Sequence, residues 1–246
     1  GTEAGDTIPE TELLQTETLF NDPMVEIWWQ GNDFAFSYSY KLELLNYPIL
    51  VNQSYFDWSA WSSDTSVTFD NLDEGNYIFS IKGRFSDEIE EVLPQSLNFE
   101  VNAISGPALR IYPLKQEVDV GSTVNVYLFA EEIDAVTGLE IELNFDPNVI
   151  TYNNNVDGSL ILEYAAGGDF TIFPPLEAGN NTMLISGAVS GSGLSGTGAI
   201  AKLIFTYSGS AINTEISISN NTLFKDASNA NITIQDQVSG LIEVSE

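Results

Sequence analysis

The chain has 246 residues, of which 43% are hydrophobic and 17% charged, a composition that predicts a folded protein of one large or two modest domains. Seven Lys and Arg against 36 Asp and Glu give a net charge of −29, which excludes nucleic acid as a partner and disfavours anionic membrane surfaces, because both are bound through basic side chains. Without Cys or His, the chain can form no Cys-His nucleophile pair, no Ser-His-Asp triad and no zinc site of the usual ligand types.

Residues 1–20 are acidic and lack periodicity, which predicts a tether that is ordered only where Leu13, Leu14 or Leu19 packs against a domain. No run of about 18 apolar residues occurs, so we expect no membrane insertion. A positively charged start followed by an apolar stretch is also missing, and we expect any signal segment to lie outside this chain.

From Met24 onward, apolar and polar residues alternate in short runs, which predicts β-strands. The runs of the first half are Val25 to Gln30, Phe34 to Leu44, Ser66 to Phe69, Tyr77 to Lys82 and Leu97 to Val101. Turn-forming residues lie between them, at Gly31 to Asp33, Asn46 to Asn52 and Asn71 to Gly75. Residues 21–104 are therefore predicted to form an antiparallel β-sandwich.

Asn102 to Pro107 is the best candidate for a linker, after which the alternation resumes with Gly-rich connections. The runs of the second half are Leu109 to Tyr112, Thr123 to Ala130, Leu139 to Phe145, Thr182 to Val189, Ala199 to Tyr207, Glu215 to Ser219, Asn231 to Ile234 and Leu241 to Val244. Eight or nine strands over residues 105–246 predict a two-sheet jelly roll, and no segment predicts a helix.

Two loop motifs suggest cofactors that their surroundings do not favour. Gly191 to Gly196 matches the dinucleotide fingerprint, but that site needs a following helix, and Ala199 to Phe205 predicts a strand. Asn153, Asn155, Asp157 and Gly158 fit four positions of an EF-hand loop, whose last position should be Glu and is Tyr164. We expect no cofactor, while the many carboxylates leave a calcium site in another loop open.

The tryptophans and the acids each allow a second function. Trp28 and Trp29 are adjacent on a predicted strand, so they point to opposite faces, and an exposed one could stack on a sugar ring as Trp58 and Trp61 could. Polysaccharide binding through Trp28 or Trp29 is therefore an alternative to a core role. Paired carboxylates could hydrolyse glycosides, but no pair stands out among 36 acids, so we assign them to solvation and expect no enzyme.

The run from Leu139 to Phe145 divides its residues cleanly between two faces. The apolar residues share one face, whereas Glu140 and Glu142 share the other, about 7 Å apart at the rise of a strand. Like charges so placed repel each other, and a partner that neutralised them would gain free energy. A solvated sheet face accounts for the pattern equally well.

Five runs of the second half carry a further signal: Val118 to Val124, Gly138 to Ile150, Gly198 to Phe205, Leu223 to Asp226 and Gly240 to Val244. In these runs and in their order, the second half resembles a cohesin domain. Its most specific run is Phe145-Asp146-Pro147-Asn148-Val149, in which Pro and Asn also end a strand on physical grounds. The resemblance implies a nine-stranded jelly roll that binds dockerin modules on one flat sheet face, in multienzyme complexes on bacteria.

By position, the resemblance also implies which residues form that partner-binding face. They are Glu140, Glu142, Ser186, Ala188, Asn220 and Leu223. Gly138 stands where cellulosomal cohesins usually offer a polar contact.

The first half resembles a fibronectin type III-like sandwich, in Val25 to Asp33, Tyr38 to Leu42, Trp58 to Ser62 and Phe69 to Tyr77. Such modules are generally spacers, and the resemblance brings no catalytic residues. We therefore expect two antiparallel sandwiches in tandem, forming an extracellular or surface-attached bacterial scaffold that binds a dockerin-like partner. The alternatives are polysaccharide binding and a purely structural spacer.

Overall fold

The computed structural model describes residues 8–45, 56–153, 170–173, 176–177, 181–209 and 211–245. The chain forms two compact units, unit 1 over residues 1–103 and unit 2 over residues 104–246. Both are built from strands without an α-helix in the described ranges, which confirms the predicted all-β class. No helix among these residues has the length and apolarity that crossing a membrane requires.

Unit 1 contains two sheets that enclose one apolar core. Its strands are β1 (Thr11–Leu13), β2 (Leu19–Phe20), β3 (Val25–Gly31), β4 (Ser37–Leu45), β5 (Ser66–Phe69), β6 (Gly75–Ser86), β7 (Ile89–Glu90) and β8 (Gln95–Val101). One sheet has the order β1-β3-β5, and the other has the order β2-β8-β6-β4 with β7 beside β6. This all-β architecture is consistent with the fibronectin-like resemblance.

The alternation predicted along β3 is present, because Val25, Ile27 and Trp29 are buried while the residues between them are exposed. The ring of Trp29 lies within 6.0 Å of those of Tyr38 and Phe79, at the centre of the core. β4 begins at Ser37 rather than at Phe34 as predicted. The reason is a turn, in which the Ala35 N–H donates to the Asn32 carbonyl over 3.1 Å.

Two strands lie inside the segment predicted as a tether. β1 pairs with β3, and the buried Thr11 donates both its N–H and its hydroxyl to the Glu91 carboxylate, over 3.1 and 2.7 Å. Leu13 packs against the core, and β2 pairs with β8 although Leu14 and Leu19 stay exposed. Residues 11–13 and 19–20 are thus part of the sheets, because these backbone and polar contacts anchor them.

Unit 2 is also a two-sheet sandwich. Its strands are β9 (Ala108–Tyr112), β10 (Lys115–Val118), β11 (Thr123–Val136), β12 (Gly138–Asn144), β13 (Ile150–Tyr152), β14 (Phe170–Ile172), β15 (Leu176–Glu177), β16 (Thr182–Val189), β17 (Leu194–Tyr207), β18 (Asn213–Ile218), β19 (Leu223–Lys225), β20 (Asn231–Ile232), β21 (Asp236–Val238) and β22 (Gly240–Val244).

The described part of unit 2 has more strands than the predicted eight or nine. Nine strands form one sheet: six follow the order β10-β22-β18-β12-β16-β14, while β15 pairs with β16, β19 with β12, and β20 with β19. Five strands form the other sheet, in the order β13-β17-β11-β9-β21. The additional strands are two to four residues long, such as β15, β19 and β21, and so are too short to show an alternation. Apolar residues from both sheets meet in a single core.

The glycine run before β17 is a turn between strands. Gly193 has φ +83°, and a Cβ there would come within 2.7 Å of the Ala135 carbonyl carbon, so both the backbone conformation and the space require glycine. The strand that follows lacks the helix N-terminus that a pyrophosphate needs.

A charged pair is buried on the five-stranded sheet of unit 2. The Arg110 Nε donates to the Glu131 carboxylate over 2.6 Å, and the two side chains are only 1% and 6% exposed. The guanidinium also lies 4.5 Å from the ring centre of Phe129. Such a pair has lost its hydration, so removing one partner leaves the other charge poorly compensated.

We predict that Glu131→Ala destabilises unit 2 by about 3 to 5 kcal/mol, because it leaves the Arg110 charge buried. Urea unfolding followed by far-ultraviolet circular dichroism measures the change. Tryptophan fluorescence should show an unaltered transition of unit 1, since all four tryptophans lie there. The control is Lys115→Ala, which removes a partly exposed pair with Glu243 and should cost less than about 1 kcal/mol. Equal effects of the two variants would contradict the prediction.

Candidate partner-binding site

The strand β12 presents two different faces because its residues alternate. Leu139, Ile141 and Leu143 are buried in the core of unit 2, whereas Glu140 is exposed and Glu142 half-buried on the opposite side. Burial of the three apolar side chains fixes which way the carboxylates point, since a slip of one residue would exchange the two faces.

The neighbouring strands bring three of the other predicted residues beside these carboxylates. On β16, Ser186 pairs with Glu140 and Ala188 pairs with Gly138. On β19, Leu223 pairs with Glu140 from the other side. We call this surface the β12 face; it consists of Gly138, Glu140, Glu142, Asn144, Thr182, Leu184, Ser186, Ala188, Leu223 and Lys225.

The centre of the β12 face is acidic. Glu140 and Glu142 follow each other at strand spacing, about 7 Å apart. Among the described residues, neither carboxylate forms an ion pair. Lys225 lies opposite Gly138, one row away from Glu140, and is the basic residue of the face. A basic group approaching this centre would therefore be attracted without displacing an existing salt bridge.

A turn after β18 is bound tightly to Glu142. The backbone N–H of Glu142 donates to the Thr222 hydroxyl over 3.1 Å, and the backbone carbonyl of Glu142 accepts from the Ser219 N–H over 2.8 Å. Its carboxylate accepts from the Asn221 side-chain amide over 3.0 Å. Asn221, which the sequence analysis missed, is therefore the asparagine that meets Glu142, whereas the predicted Asn220 is exposed in the same turn.

An aromatic side chain stands at the edge of the β12 face. The N–H of Phe173 donates to the Ser186 carbonyl over 2.9 Å, which continues the register of β14 along β16. Phe173 is 52% exposed, and it is the large apolar residue nearest to Ser186 in that row. Exposed aromatic residues are common anchors of protein interfaces, but periodicity did not single out this segment.

A second turn, between β19 and β20, holds the other end of the face. The Ser228 hydroxyl donates to the Asp226 carboxylate over 2.7 Å, and the N–H groups of Ala230 and Ser228 donate over 2.9 and 2.8 Å. The hydroxyl is the main cause that lowers the pKa of Asp226 below its ordinary value, and the backbone donors add to it. These bonds favour the charged carboxylate and so keep the turn next to Lys225 in place.

We predict that Ser228→Ala raises the pKa of Asp226 toward the ordinary aspartate value of about 3.9, because the main donor is lost. Since the folded pKa is the lower one, the carboxylate stabilises the fold above the ordinary value, and this contribution is lost as pH falls through the folded pKa. Side-chain carboxyl signals in an NMR titration measure the shift. Ser208→Ala, in an exposed position elsewhere, should leave the titration of Asp226 unchanged; an unchanged titration in Ser228→Ala would contradict the assignment.

The two predicted stacking residues differ in accessibility. Trp29 is 2% exposed, so it is a core residue and cannot offer a ring face to a sugar. Trp28 is 46% exposed on the opposite side of β3. The structure therefore removes Trp29 from the candidate site, because strand alternation places it inside the sandwich.

The described residues contain no group of three or more acidic side chains placed to hold a metal ion. The loop that resembles an EF-hand runs from Asn153 to Tyr164, and all of it after Asn153 lies outside the described residues, including Asn155, Asp157 and Gly158. The expectation about calcium therefore stays untested.

Unit 2 is thus a β-sandwich with one largely polar outer sheet face. Residues 113–244, over half of the chain, match the family model of the cohesin domain. The chain therefore belongs to the cohesin family, and the resemblance noted in the sequence is confirmed. The matched range includes every strand of the β12 face.

Solved structures similar to the chain include a non-cellulosomal cohesin from the hyperthermophilic archaeon Archaeoglobus fulgidus, with 16% identity over 56% of this chain and 91% of that one and a TM-score of 0.45. The sixth cohesin of scaffoldin B from Acetivibrio cellulolyticus, solved in complex with a mutated dockerin, has 20% identity over 57% of this chain and 100% of that one, with a TM-score of 0.45. A cohesin module of a glycoside hydrolase from Clostridium perfringens has 14% identity over 57% and 98%, with a TM-score of 0.45. No curated protein sequence matches the chain.

Proposed function

We propose that unit 2 is a non-catalytic binding module that docks a dockerin-type protein on the β12 face. The observation that carries this proposal is the cohesin match over residues 113–244, which spans every strand of that face. Cohesins are modules that bind dockerins, and the fold of the family places the docking surface on a sheet rather than in a cleft. A flat sheet face suits such a partner, because it can contact a standard interface area of about 800 Å² on each side.

The side chains of the β12 face support close approach. Gly138 and Ala188 pair with each other and present no large side chain to a partner. Next to them, Ser186 and Leu223 flank Glu140 in one row across three strands. A partner backbone or helix could thus reach the sheet while Glu140 and Glu142 accept hydrogen bonds from its hydroxyl or basic groups.

Electrostatics favours a basic or hydroxyl-rich docking surface on the partner. The net charge of −29 attracts such a protein from a distance, which accelerates the encounter at low salt. The central carboxylates then add specificity, since an acidic surface placed there would be repelled. We place the module in an extracellular or surface-attached scaffold, where high negative charge keeps it soluble and no disulfides are needed.

We predict that Glu140→Lys and Glu142→Lys each weaken dockerin binding by about one to two orders of magnitude, since a reversed charge would face the partner's basic groups. Isothermal titration calorimetry of the full chain with a panel of dockerin modules measures this. Glu26→Lys makes the same charge change at an exposed position of β3 in unit 1 and should leave the affinity unchanged. Unaltered affinity in both β12 variants would show that the partner docks elsewhere.

Gly138→Leu tests the shape of the face rather than its charge. A Cβ at Gly138 would have ordinary contact with Lys225, at 3.4 Å, so the variant should fold normally with an unaltered melting temperature. Its side chain would stand between Ala188 and Lys225 and hold the partner away, and we expect at least about a tenfold loss of affinity. A normal affinity in a normally folded Gly138→Leu would contradict close approach at this point.

A further inference from the structure

A short segment of unit 1 runs along β4, at one edge of its five-stranded sheet. Residues 59–62 run beside β4, where the Ser59 N–H donates to the Tyr40 carbonyl over 2.7 Å and Ser62 exchanges backbone hydrogen bonds with Tyr38. The Ser39 hydroxyl also donates to the Ser59 carbonyl over 2.8 Å. We call residues 58–62 the tryptophan strap, because these bonds hold Trp58 and Trp61 next to the outer side of β4.

The strap places its two indoles among three cationic side chains. Lys82 Nζ lies 5.0 Å from the Trp58 ring centre and 5.1 Å from that of Trp61. The Arg84 guanidinium is 4.4 Å from the Trp61 ring centre, and Lys41 Nζ is 5.6 Å from that of Trp58. We call these five side chains the indole–cation ladder. Distances below about 6 Å are those at which a ring attracts a cation.

The ladder collects every basic residue of residues 1–103, which otherwise carry many acids. Lys41 alternates with the inward-facing Leu42 on β4, and Lys82 and Arg84 alternate with Ile81 and Gly83 on β6. The three cations therefore share the outer side of two paired strands. In a strongly acidic protein, this is the surface of unit 1 at which an anion meets positive charge directly.

Each cation also contacts an acid that a ligand could replace. The pairs are Lys41–Glu43 at 2.7 Å, Lys82–Glu90 at 2.7 Å and Arg84–Asp87 at 2.6 Å. All three carboxylates are exposed, and surface pairs of this kind add little stability. A carboxylate on a ligand can thus take the place of one of them at small cost, while the rings hold the cations in position.

We propose that the indole–cation ladder is a binding site for a polysaccharide that carries carboxylates, such as a polymer of uronic acids. Trp58 is 38% exposed, so its ring can accept the C–H face of a sugar, while the cations bind the carboxylates of the polymer. Two acids close to the strap oppose this contact: Asp57, which precedes Trp58, and Asp64, whose carboxylate accepts from the Ser62 hydroxyl. At physiological salt, charges further away than about 8 Å are largely screened.

A polysaccharide suits this surface better than an acidic peptide does. A peptide that joined the sheet beside the ladder would have to displace the strap, which is already bonded to the backbone of Tyr38 and Tyr40 on β4. The outer face beside the strap offers the rings and the charges of the ladder. This site is on unit 1 and does not depend on the function proposed for unit 2.

The test uses the full chain with polygalacturonate at 0.15 M salt, followed by tryptophan fluorescence and by co-sedimentation. Neutral xylan and polyglutamate are the comparison polymers. We expect saturable binding to polygalacturonate, and binding at least about tenfold weaker to the other two, because each lacks either the charge or the sugar ring. The absence of polygalacturonate binding would overturn the proposal, and equally tight binding of polyglutamate would assign the ladder to acidic polypeptides instead.

Variants then locate the site. Trp58→Ala and Lys41→Met should each weaken polygalacturonate binding by about tenfold, and Lys41→Met keeps the apolar stem so that the strap stays packed. Lys115→Met is the matched control, since Lys115 in unit 2 is as exposed as Lys41, at 25%, and also forms an ion pair, with Glu243. A loss in the control as large as in Lys41→Met, or a loss in Trp28→Ala instead of Trp58→Ala, would overturn the assignment to the ladder.

Discussion

The alternation of buried and outward side chains along paired strands is the constraint on which this structure depends. In β12, the buried Leu139, Ile141 and Leu143 determine that Glu140 and Glu142 face outward. A shift of one residue would bring both carboxylates into the core, at a free-energy cost that no neighbouring base offsets. The acidic centre of the β12 face is thus held in place by the apolar residues behind it.

In unit 1, the same alternation places positively charged side chains on the outer face of a sheet. Its inner rows on β4 and β6 are apolar and aromatic, and its outer rows hold Lys41, Lys82 and Arg84. In both units the proposed site is therefore an outer row of a sheet whose inner row fixes the register. Among the described residues, the buried acids are Asp73, Glu91 and Glu131, of which Glu131 is paired with Arg110 and Glu91 accepts from Thr11. The other acids whose side chains are described are exposed or half-buried.

Much of the fold and part of the site could be predicted from local patterns, and the failures have physical reasons. β3, β5, β8, β12 and β16 lie where alternation predicts them, and both central carboxylates lie on the predicted side of β12. Short strands such as β1 and β19 carry no periodic signal, because backbone pairing and polar contacts such as Thr11 with Glu91 stabilise them. Neighbouring asparagines look alike in sequence, and only the path of the turn decides that Asn221 reaches Glu142.

By itself, the amino-acid sequence determined the all-β class, the cohesin family of the second half and the polarity of each strand face, since these depend on composition, order and a period of two. Only the tertiary structure decided which remote residues stand beside one another: Ser186 and Leu223 next to Glu140, and the tryptophan strap next to Lys82. Strand pairing joins residues that are far apart in the chain. Their neighbours therefore follow from sheet order and register, which no local pattern encodes.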